Sequence, residues 1–324
     1  MPGTSTSTST STSTTTTTRA LAFDRYGPPE VLAPAEIGLP SPGPGEVRIA
    51  VRTAGVNPID HKLREGELRE VIPVSLPHVP GVEVAGVVEA VGPEVHELAV
   101  GDEVFGSTRT GGYATHALAR ARELAHRPPT LGWAEAAAIP AAAETTVRCL
   151  HQLGLRKGET LLLHAAAGGV GTLAVQFAVA RGIRVIGTAS ESNHTYLRAL
   201  GALPVSYGDG LAARVGALAP DGVDAALDGA GKGGALDISV ALTGGTERVV
   251  TIADGAGAAR LGVRFSGGED TRFTAPALAE AVALHHAGTL RLPVHRLYPL
   301  TEAAEAQRTS ADGHVRGKVV LVVG

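Results

Sequence analysis

The chain has 324 residues and a mass of 32.9 kDa, with 28 Lys+Arg against 32 Asp+Glu and a formal charge of −4. At about 100–200 residues per domain this is room for roughly two domains. A hydrophobic fraction of 44% excludes both a small stapled scaffold and a wholly disordered chain. The balanced charge, with no Lys/Arg cluster, leaves no footprint for nucleic acid or an anionic membrane, and no run approaches the ~18 apolar residues of a spanning helix. The single cysteine, Cys149, excludes an intrachain disulfide and a multi-cysteine metal site, and fits a reducing, cytoplasmic setting.

In chain order, residues 1–18 are almost wholly Ser and Thr and cannot bury apolar surface. They are expected to be a disordered extension, without the basic start and apolar run of a secretory signal. From Arg19, short strand-like runs alternate with turns: one near Leu21, then 47–56, 81–92, 101–106 and 111–118. Pro42, Gly43, Pro44 and Gly45 mark the turn before the second. Short strands between glycine-rich turns predict an antiparallel, barrel-like region. Residues 131–139 are Ala-rich and helical, Pro140 interrupts them, and 143–154 read as the next helix.

Beyond 157 the texture changes. A strand ending at His164 leads into a glycine turn, then a helix over 172–182, a strand over 183–190 and a helix over 194–202. A short strand near 203, a step through 222–231, and a helix–turn–strand ending near 252 continue the alternation. Strands of about five residues separated by helices of about ten predict parallel βα units in a doubly wound sheet. A further strand over 260–265, a helix over 275–290 and a buried apolar strand, Lys318 to Val323, complete the pattern.

The glycine turn is the most informative segment. Leu161–His164 runs into Ala165-Ala166-Ala167-Gly168-Gly169-Val170-Gly171. The dinucleotide fingerprint GxGxxG falls on Ala166, Gly168 and Gly171, with alanine in the first place. Gly168 would let the backbone approach a pyrophosphate, Gly171 would let the helix lie close to the sheet, and the helix N-terminal amides would face the phosphates. The next strand tip reads Gly187-Thr188-Ala189-Ser190-Glu191-Ser192-Asn193, with no carboxylate at Thr188, Ala189 or Ser190 to accept from ribose hydroxyls. That favours NADP over NAD, with Arg198 or Arg184 as a positive partner; a register shift placing Glu191 at the tip would reverse the preference. A flavin site remains an alternative use of the turn, whereas an ATP loop is excluded because no lysine precedes Thr172.

Other chemistries find less support. Twelve histidines are scattered without HExxH or HxH spacing, and His285 and His286 point to different helix faces, so no metal site is expected. No GxSxG elbow is present. Cys149 reads as a small buried hydrophobe, and His164 as a packed or capping residue.

Several segments then fall in a familiar order: Gly55-Val56-Asn57-Pro58-Ile59-Asp60, Val79-Pro80-Gly81-Val82-Glu83-Val84-Ala85-Gly86, Gly112-Tyr113-Ala114, Ala138-Ile139-Pro140 with Thr145, Ala165 to Gly171, and His314-Val315-Arg316-Gly317-Lys318. Together, from Arg19 to Gly324, the chain resembles the zinc-independent, quinone oxidoreductase-like branch of the medium-chain dehydrogenase/reductase superfamily. Asn57 and Val82 stand where zinc-dependent relatives place cysteine and histidine. The resemblance implies an α/β chain with a GroES-like β-barrel-type catalytic domain and an inserted Rossmann doubly wound parallel sheet. Its expected bounds are a Ser/Thr tail over 1–18, the GroES-like domain over 19–140 plus 285–324, and the Rossmann domain over 141–284. It further implies NADPH, a homodimer, no metal, and a small-molecule substrate, either a quinone or an α,β-unsaturated carbonyl compound. A pathway-specific enoyl reductase of natural-product biosynthesis and a non-catalytic NADPH-binding protein are the alternatives.

The resemblance also names residues. Asn57 is expected near the nicotinamide, orienting the ring or donating to the substrate oxygen; an Asx turn is its structural alternative. Lys62 would polarise the carbonyl or else be a solvated lysine. Asp60 would serve the chemistry or pair with Lys62 or Arg64, and Tyr113 would line the pocket or the core. Thr145 is expected at the cofactor cleft, and Gly169 and Val170 at the pyrophosphate with Gly168 and Gly171. Thr188, Ser190 and Asn193 are expected on the phosphate side with Tyr207 behind them, and Thr251 and Ile252 near the nicotinamide, with Gly231 bordering the same cleft. Loops 57–66, 105–116 and 260–275 should shape the substrate pocket.

Overall fold

The computed structural model describes residues 16–267 and 271–324, so most of the expected tail and part of the 260–275 loop lie outside the described residues. Thr16 to Thr18 are a correction to that tail. They open β1 (Thr16–Ala22), which pairs antiparallel with β2 (Ala33–Leu39), Thr16 opposite Leu39. Thr18 is buried, its hydroxyl 3.1 Å from that of Thr115 and accepting from His116 N at 2.9 Å. Threonine is β-branched, and a partner strand is enough to draw it out of a low-complexity run.

The first half continues with β3 (Glu46–Val56), α1 (Pro58–Glu65), β4 (Glu83–Val91), β5 (Glu103–Ser107), β6 (His116–Arg120) and β7 (Leu124–His126). Next come α2 (Trp133–Ala138) and α3 (Pro140–Leu153). The second of these starts at Pro140 rather than 143, because proline at the first helical position gives up an N–H that has no partner there anyway.

The βα alternation follows: β8 (Thr160–His164), α4 (Gly169–Ala180), β9 (Arg184–Thr188), α5 (His194–Ala199), β10 (Leu203–Val205), α6 (Leu211–Leu218), β11 (Ala225–Asp228), α7 (Ala235–Thr243) and β12 (Val249–Thr251). The first two residues of the expected strand over 260–265 end α8 (Gly255–Leu261), a helix started by Asp254 accepting from Gly257 N at 2.7 Å. Only Arg264–Phe265 pairs, as β13. The described chain ends with α9 (Thr274–His286), β14 (Val294–Pro299), α10 (Ala303–Asp312) and β15 (Lys318–Val322).

Two larger sheets result. One runs β14-β15-β3-β4-β5-β7, with β6 also on β3; its pairs are antiparallel except β14 with β15. The other is wholly parallel in the order β10-β9-β8-β11-β12-β13, the doubly wound order in which the strand sequence reverses beside the first strand. Its central strand is buried along its whole length, as a sheet covered on both faces requires. Leu161 and Leu163 enter one apolar cluster with α3 and α4, while Leu162 enters another with Leu211, Val215 and Leu236. A third cluster fills the antiparallel region around Val47, Ile49, Val84 and Phe105's neighbour Val104. The strand order reverses between β8 and β11, and the glycine turn lies beside the crevice that such a reversal opens at the carboxyl ends of the strands.

Candidate active site

The glycine turn sits at the carboxyl end of β8. Ala165 takes the left-handed conformation at φ 56°, so the tight turn begins one residue before the first fingerprint position. Gly168 N donates to Ala165 O at 3.0 Å, and Gly168 is an extended N-cap from which α4 departs. No side chain caps that end, which bridges to the backbone at Gly317, so amides of the first helical turn have no side-chain partner and can face an anionic ligand. A Cβ on Gly171 would lie 2.3 Å from Ala165 O and 2.6 Å from Ala166 Cα, so glycine is what lets the helix lie against the turn. A Cβ on Gly168 would meet nothing nearer than Ala165 O at 3.4 Å. The cradle is therefore open at Gly168 and closed at Gly171, which fits a dinucleotide pyrophosphate.

At the tip of β9, Asn193 Nδ2 donates to Ser190 Oγ at 3.1 Å, and Ser190 Oγ lies 3.1 Å from Ser192 Oγ. The cation held at that tip is not Arg184. Arg184 opens β9 at its far end and reaches Leu218 O, and Arg198 is exposed on α5. Arg316 supplies the charge instead, with Nε donating to Asn193 Oδ1 at 2.6 Å and its guanidinium 5.3 Å from the Tyr196 ring. Glu191 is exposed in a short turn after Ser190. Thr188 faces inward, its hydroxyl 3.3 Å from His164 Nδ1, while His164 Nε2 lies 3.0 Å from Ser239 Oγ. Burial holds the His164 pKa below its ordinary value, against the opposing charge of Asp228. Thr251 is also buried and donates to Asp228 Oδ2 at 2.8 Å, whose other oxygen accepts from Ala230 N and Gly231 N. Ile252 is half-buried beside them, and Tyr207 is 59% exposed, two residues beyond Val205, whose carbonyl accepts from Ala189 N at the β9 tip.

The other end of the crevice is built around Asn57, which follows β3 and is the N-cap of α1. Asn57 Nδ2 donates to Glu83 Oε1 at 2.7 Å, and Asn57 Oδ1 accepts from Lys318 Nζ. Lys318 Nζ also donates to Glu83 Oε1 at 2.7 Å and to Val56 O at 3.3 Å. Glu83 Oε2 accepts from Ala141 N at 2.7 Å, in the first turn of α3, where the helix dipole favours a carboxylate. Glu83 is wholly buried and Lys318 nearly so.

Asp60 does not pair with Lys62 or Arg64. Its carboxylate accepts from Asn57 N at 2.8 Å, Gly81 N at 3.2 Å and Tyr113 OH at 3.1 Å, tying together the segments that carry Asn57 and Glu83. Burial pushes its pKa up to about 6, against those hydrogen bonds. Tyr113 is fully buried, a core residue, and burial lifts its phenol well above the usual range. Arg64 turns to Gln307 Oε1 at 2.7 Å and Glu65 Oε1 at 2.6 Å. Lys62 is half-buried in the last turn of α1, outside the cluster at Glu83. Thr145 is half-buried on α3 and accepts from Arg148 Nη2 at 3.2 Å.

Three residues that this geometry makes prominent, Glu83, Arg316 and Lys318, were absent from the sequence-based candidates. The signal for two of them was a lone charge in an apolar strand, GVEVAG and KVVLVV, since a buried charge requires a partner. Among the described residues, no group of three or more His, Cys, Asp or Glu side chains could hold a metal, and no helix is long and apolar enough to cross a membrane.

Comparison with known proteins agrees with this architecture. Residues 43–148 match the alcohol dehydrogenase GroES-like domain, and residues 200–321 match the domain described as zinc-binding dehydrogenase. The chain is 32% identical over 328 residues to a quinone oxidoreductase of Sus scrofa, covering 94% of this chain and 97% of that one. It is 36% identical over 317 residues to the pikromycin polyketide synthase component PikAII of Streptomyces venezuelae, covering 92% of this chain but spanning 8% of that protein's length. A mycobacterial structure complexed with NADPH superposes with a TM-score of 0.82 at 29% identity, over 94% of this chain and all of that one. With its GroES-like barrel, Rossmann sheet and this full-length likeness, the chain belongs to the medium-chain dehydrogenase/reductase family, of the quinone oxidoreductase type.

Proposed function

We propose that the protein is an NADPH-dependent, metal-independent reductase of quinones or of the C=C bond of α,β-unsaturated carbonyl compounds. The observation that carries this reading is the segment 316–318, which touches both ends of the crevice. Arg316 holds the β9 tip, Gly317 N donates to Ala167 O at 3.0 Å in the glycine turn, and Lys318 holds Asn57. Amides of Gly169, Val170 and Gly171 would hold the pyrophosphate, with Gly168 leaving room for it. Ser190, Asn193 and Arg316 would hold a 2′-phosphate, and Thr145, Thr251 and Ile252 would flank the nicotinamide side. When bound, the reduced nicotinamide supplies the hydride.

The chain's own part is to bind, orient and stabilise. Asn57 gives one of its two amide N–H groups to Glu83 and keeps the other for the substrate oxygen, where a donor helps more as negative charge develops. A polar zinc ligand is lacking at Val82, and the Asn57 amide oxygen, the atom that could ligate a metal, is taken by the Lys318 ammonium, which supports the metal-free reading. Asp60 and Tyr113 support the loop from behind. The exposed outer edge at β13, with Phe265 half exposed, supports a homodimer, and the lone buried cysteine supports a cytoplasmic setting.

The test is consumption of NADPH and of NADH with phenanthrenequinone and with an alkenal, each against a no-acceptor control. Faster turnover with NADPH is expected; no acceptor-dependent oxidation of either nucleotide would overturn the reading. The likeness to PikAII favours a second reading, enoyl reduction on a polyketide intermediate. That reading predicts tight NADPH binding, poor turnover of free quinones, and efficient reduction of an enoyl thioester.

A further inference from the structure

Asn57 has a carboxamide that can be turned over without changing its shape, and which face it presents decides whether it donates or accepts toward a ligand. Here the choice is made by two buried charges. The amide nitrogen faces Glu83 Oε1 at 2.7 Å and the amide oxygen faces the Lys318 ammonium. Turning the group over would set oxygen against carboxylate and NH2 against ammonium, both repulsive and both out of water. The pair is in turn closed on itself: Lys318 Nζ spends its three donors on Glu83, Asn57 and Val56 O. Glu83 accepts from Lys318, Asn57 and Ala141 N.

Lys318 also passes over the glycine turn. A Cβ on Gly169 would lie 2.6 Å from Lys318 Cδ, so the lysine stem occupies the space that any other residue at 169 would need. One side chain thus packs against the first helical residue of the cofactor cradle and ends on the amide at the reacting end.

We propose that Glu83 and Lys318 are positioning residues that lock the Asn57 carboxamide in its donor-outward orientation, and that Lys318 ties this orientation to the cofactor turn. The proposal deepens the reductase reading and rests on it for its kinetic consequence, while the lock itself is a property of the protein without ligand.

The chain contains two asparagines, Asn57 and Asn193, so labelling asparagine with nitrogen-15 leaves two side-chain amide pairs to observe, assigned by Asn193→Ser. In the unliganded wild type, the Asn57 pair is expected to be widely split and slow to exchange. In Lys318→Met and Glu83→Gln it should move to the narrow splitting and fast exchange of a free amide. Each single variant should also melt lower by roughly 6–20 °C, from one unpaired buried charge, and the double variant should recover part of that loss. At saturating NADPH, kcat should fall about 10- to 100-fold in each single variant. The double variant should be no worse than the more damaged single, with the dissociation constant for NADPH, read by fluorescence, within about threefold of wild type in all three.

An Asn57 pair that is already averaged in the wild type overturns the lock, and so does one unmoved by both substitutions. Kinetic losses that multiply in the double variant, or a loss confined to NADPH affinity, overturn the positioning role. If a single variant does not fold, the wild-type spectrum and the uncharged double variant decide. Failure of the wild type to bind NADPH would instead count against the reductase reading, leaving the amide spectrum to judge the lock.

Discussion

Two glycines three positions apart, Gly168 and Gly171, make opposite demands, and alanine at each separates cofactor binding from folding. At Gly168 the backbone is at φ −72°, ordinary for any residue, and a methyl would meet only Ala165 O at 3.4 Å. The fold should accept Gly168→Ala with a melting temperature within about 1 °C of wild type, while the methyl enters the space in front of the free helix amides. Loss of one charge-assisted hydrogen bond to the pyrophosphate is worth about 1.5–3 kcal/mol, or about 10- to 150-fold in NADPH affinity. At Gly171 the methyl would sit 2.3 Å from Ala165 O, against backbone that must move. Overpacking of this kind costs about 1–3 kcal/mol, and at about 2–4 °C per kcal/mol Gly171→Ala should melt roughly 2–12 °C lower. Fluorescence titration with NADPH and thermal unfolding of the unliganded protein read the two effects independently. An unchanged NADPH dissociation constant in Gly168→Ala would refute the placement of the pyrophosphate, and an unchanged melting temperature in Gly171→Ala would refute the packing argument.

Arg316→Ala should weaken NADPH by about 10- to 150-fold, through a lost charged hydrogen bond, and leave NADH nearly unaffected; equal losses for both nucleotides in parallel titrations would remove Arg316 from the 2′-phosphate. Asp60 must be ionised to accept all three of its donors, so kcat should fall as pH drops through about 6, and Asp60→Asn should lack that limb in a pH profile. The same raised pKa means that the folded state holds the proton more tightly than the unfolded one. From this group, stability is greatest below the unfolded value of 3.8 and declines by about 3 kcal/mol as pH rises through about 6, so Asp60→Asn should gain on wild type in melting temperature over that window. Activity should survive prolonged dialysis against EDTA; a loss restored by zinc would overturn the metal-free reading.

The βα region was legible because its rules are local. Leu161 to Leu163 announce a buried strand, the glycines after them a turn that must approach something, and Gly182 a helix end. The fingerprint also asks for glycine at 171 so that the helix can lie against the turn, and a Cβ there would sit 2.3 Å from Ala165 O. The beginning of β1 was not legible, because Thr16 to Thr18 look like the tail that precedes them until Thr115 and His116, almost a hundred positions away, supply partners. The same limit hid Arg316. Nothing near it in the chain indicates the β9 tip, and Arg184, closer in sequence, points elsewhere. Asp60 was picked out as reactive from its place beside Asn57, but its partners at Gly81 and Tyr113 come from two other loops, and they turn it from a free acid into a buried tie.

Val319 to Val322 pair with Val56 to Thr53, and Lys318 reaches Val56 across 262 positions of chain. During synthesis, the whole parallel sheet therefore emerges before the strand that completes the first one. Until then the C-terminal half of β3 shows an open, apolar edge, which is a template for association with other chains. Contacts so distant in sequence form late, since the intervening loop must close before they contribute anything. Translation pauses or truncations upstream of residue 318 should leave an aggregation-prone species that demands chaperones, however well its nucleotide-binding half has folded.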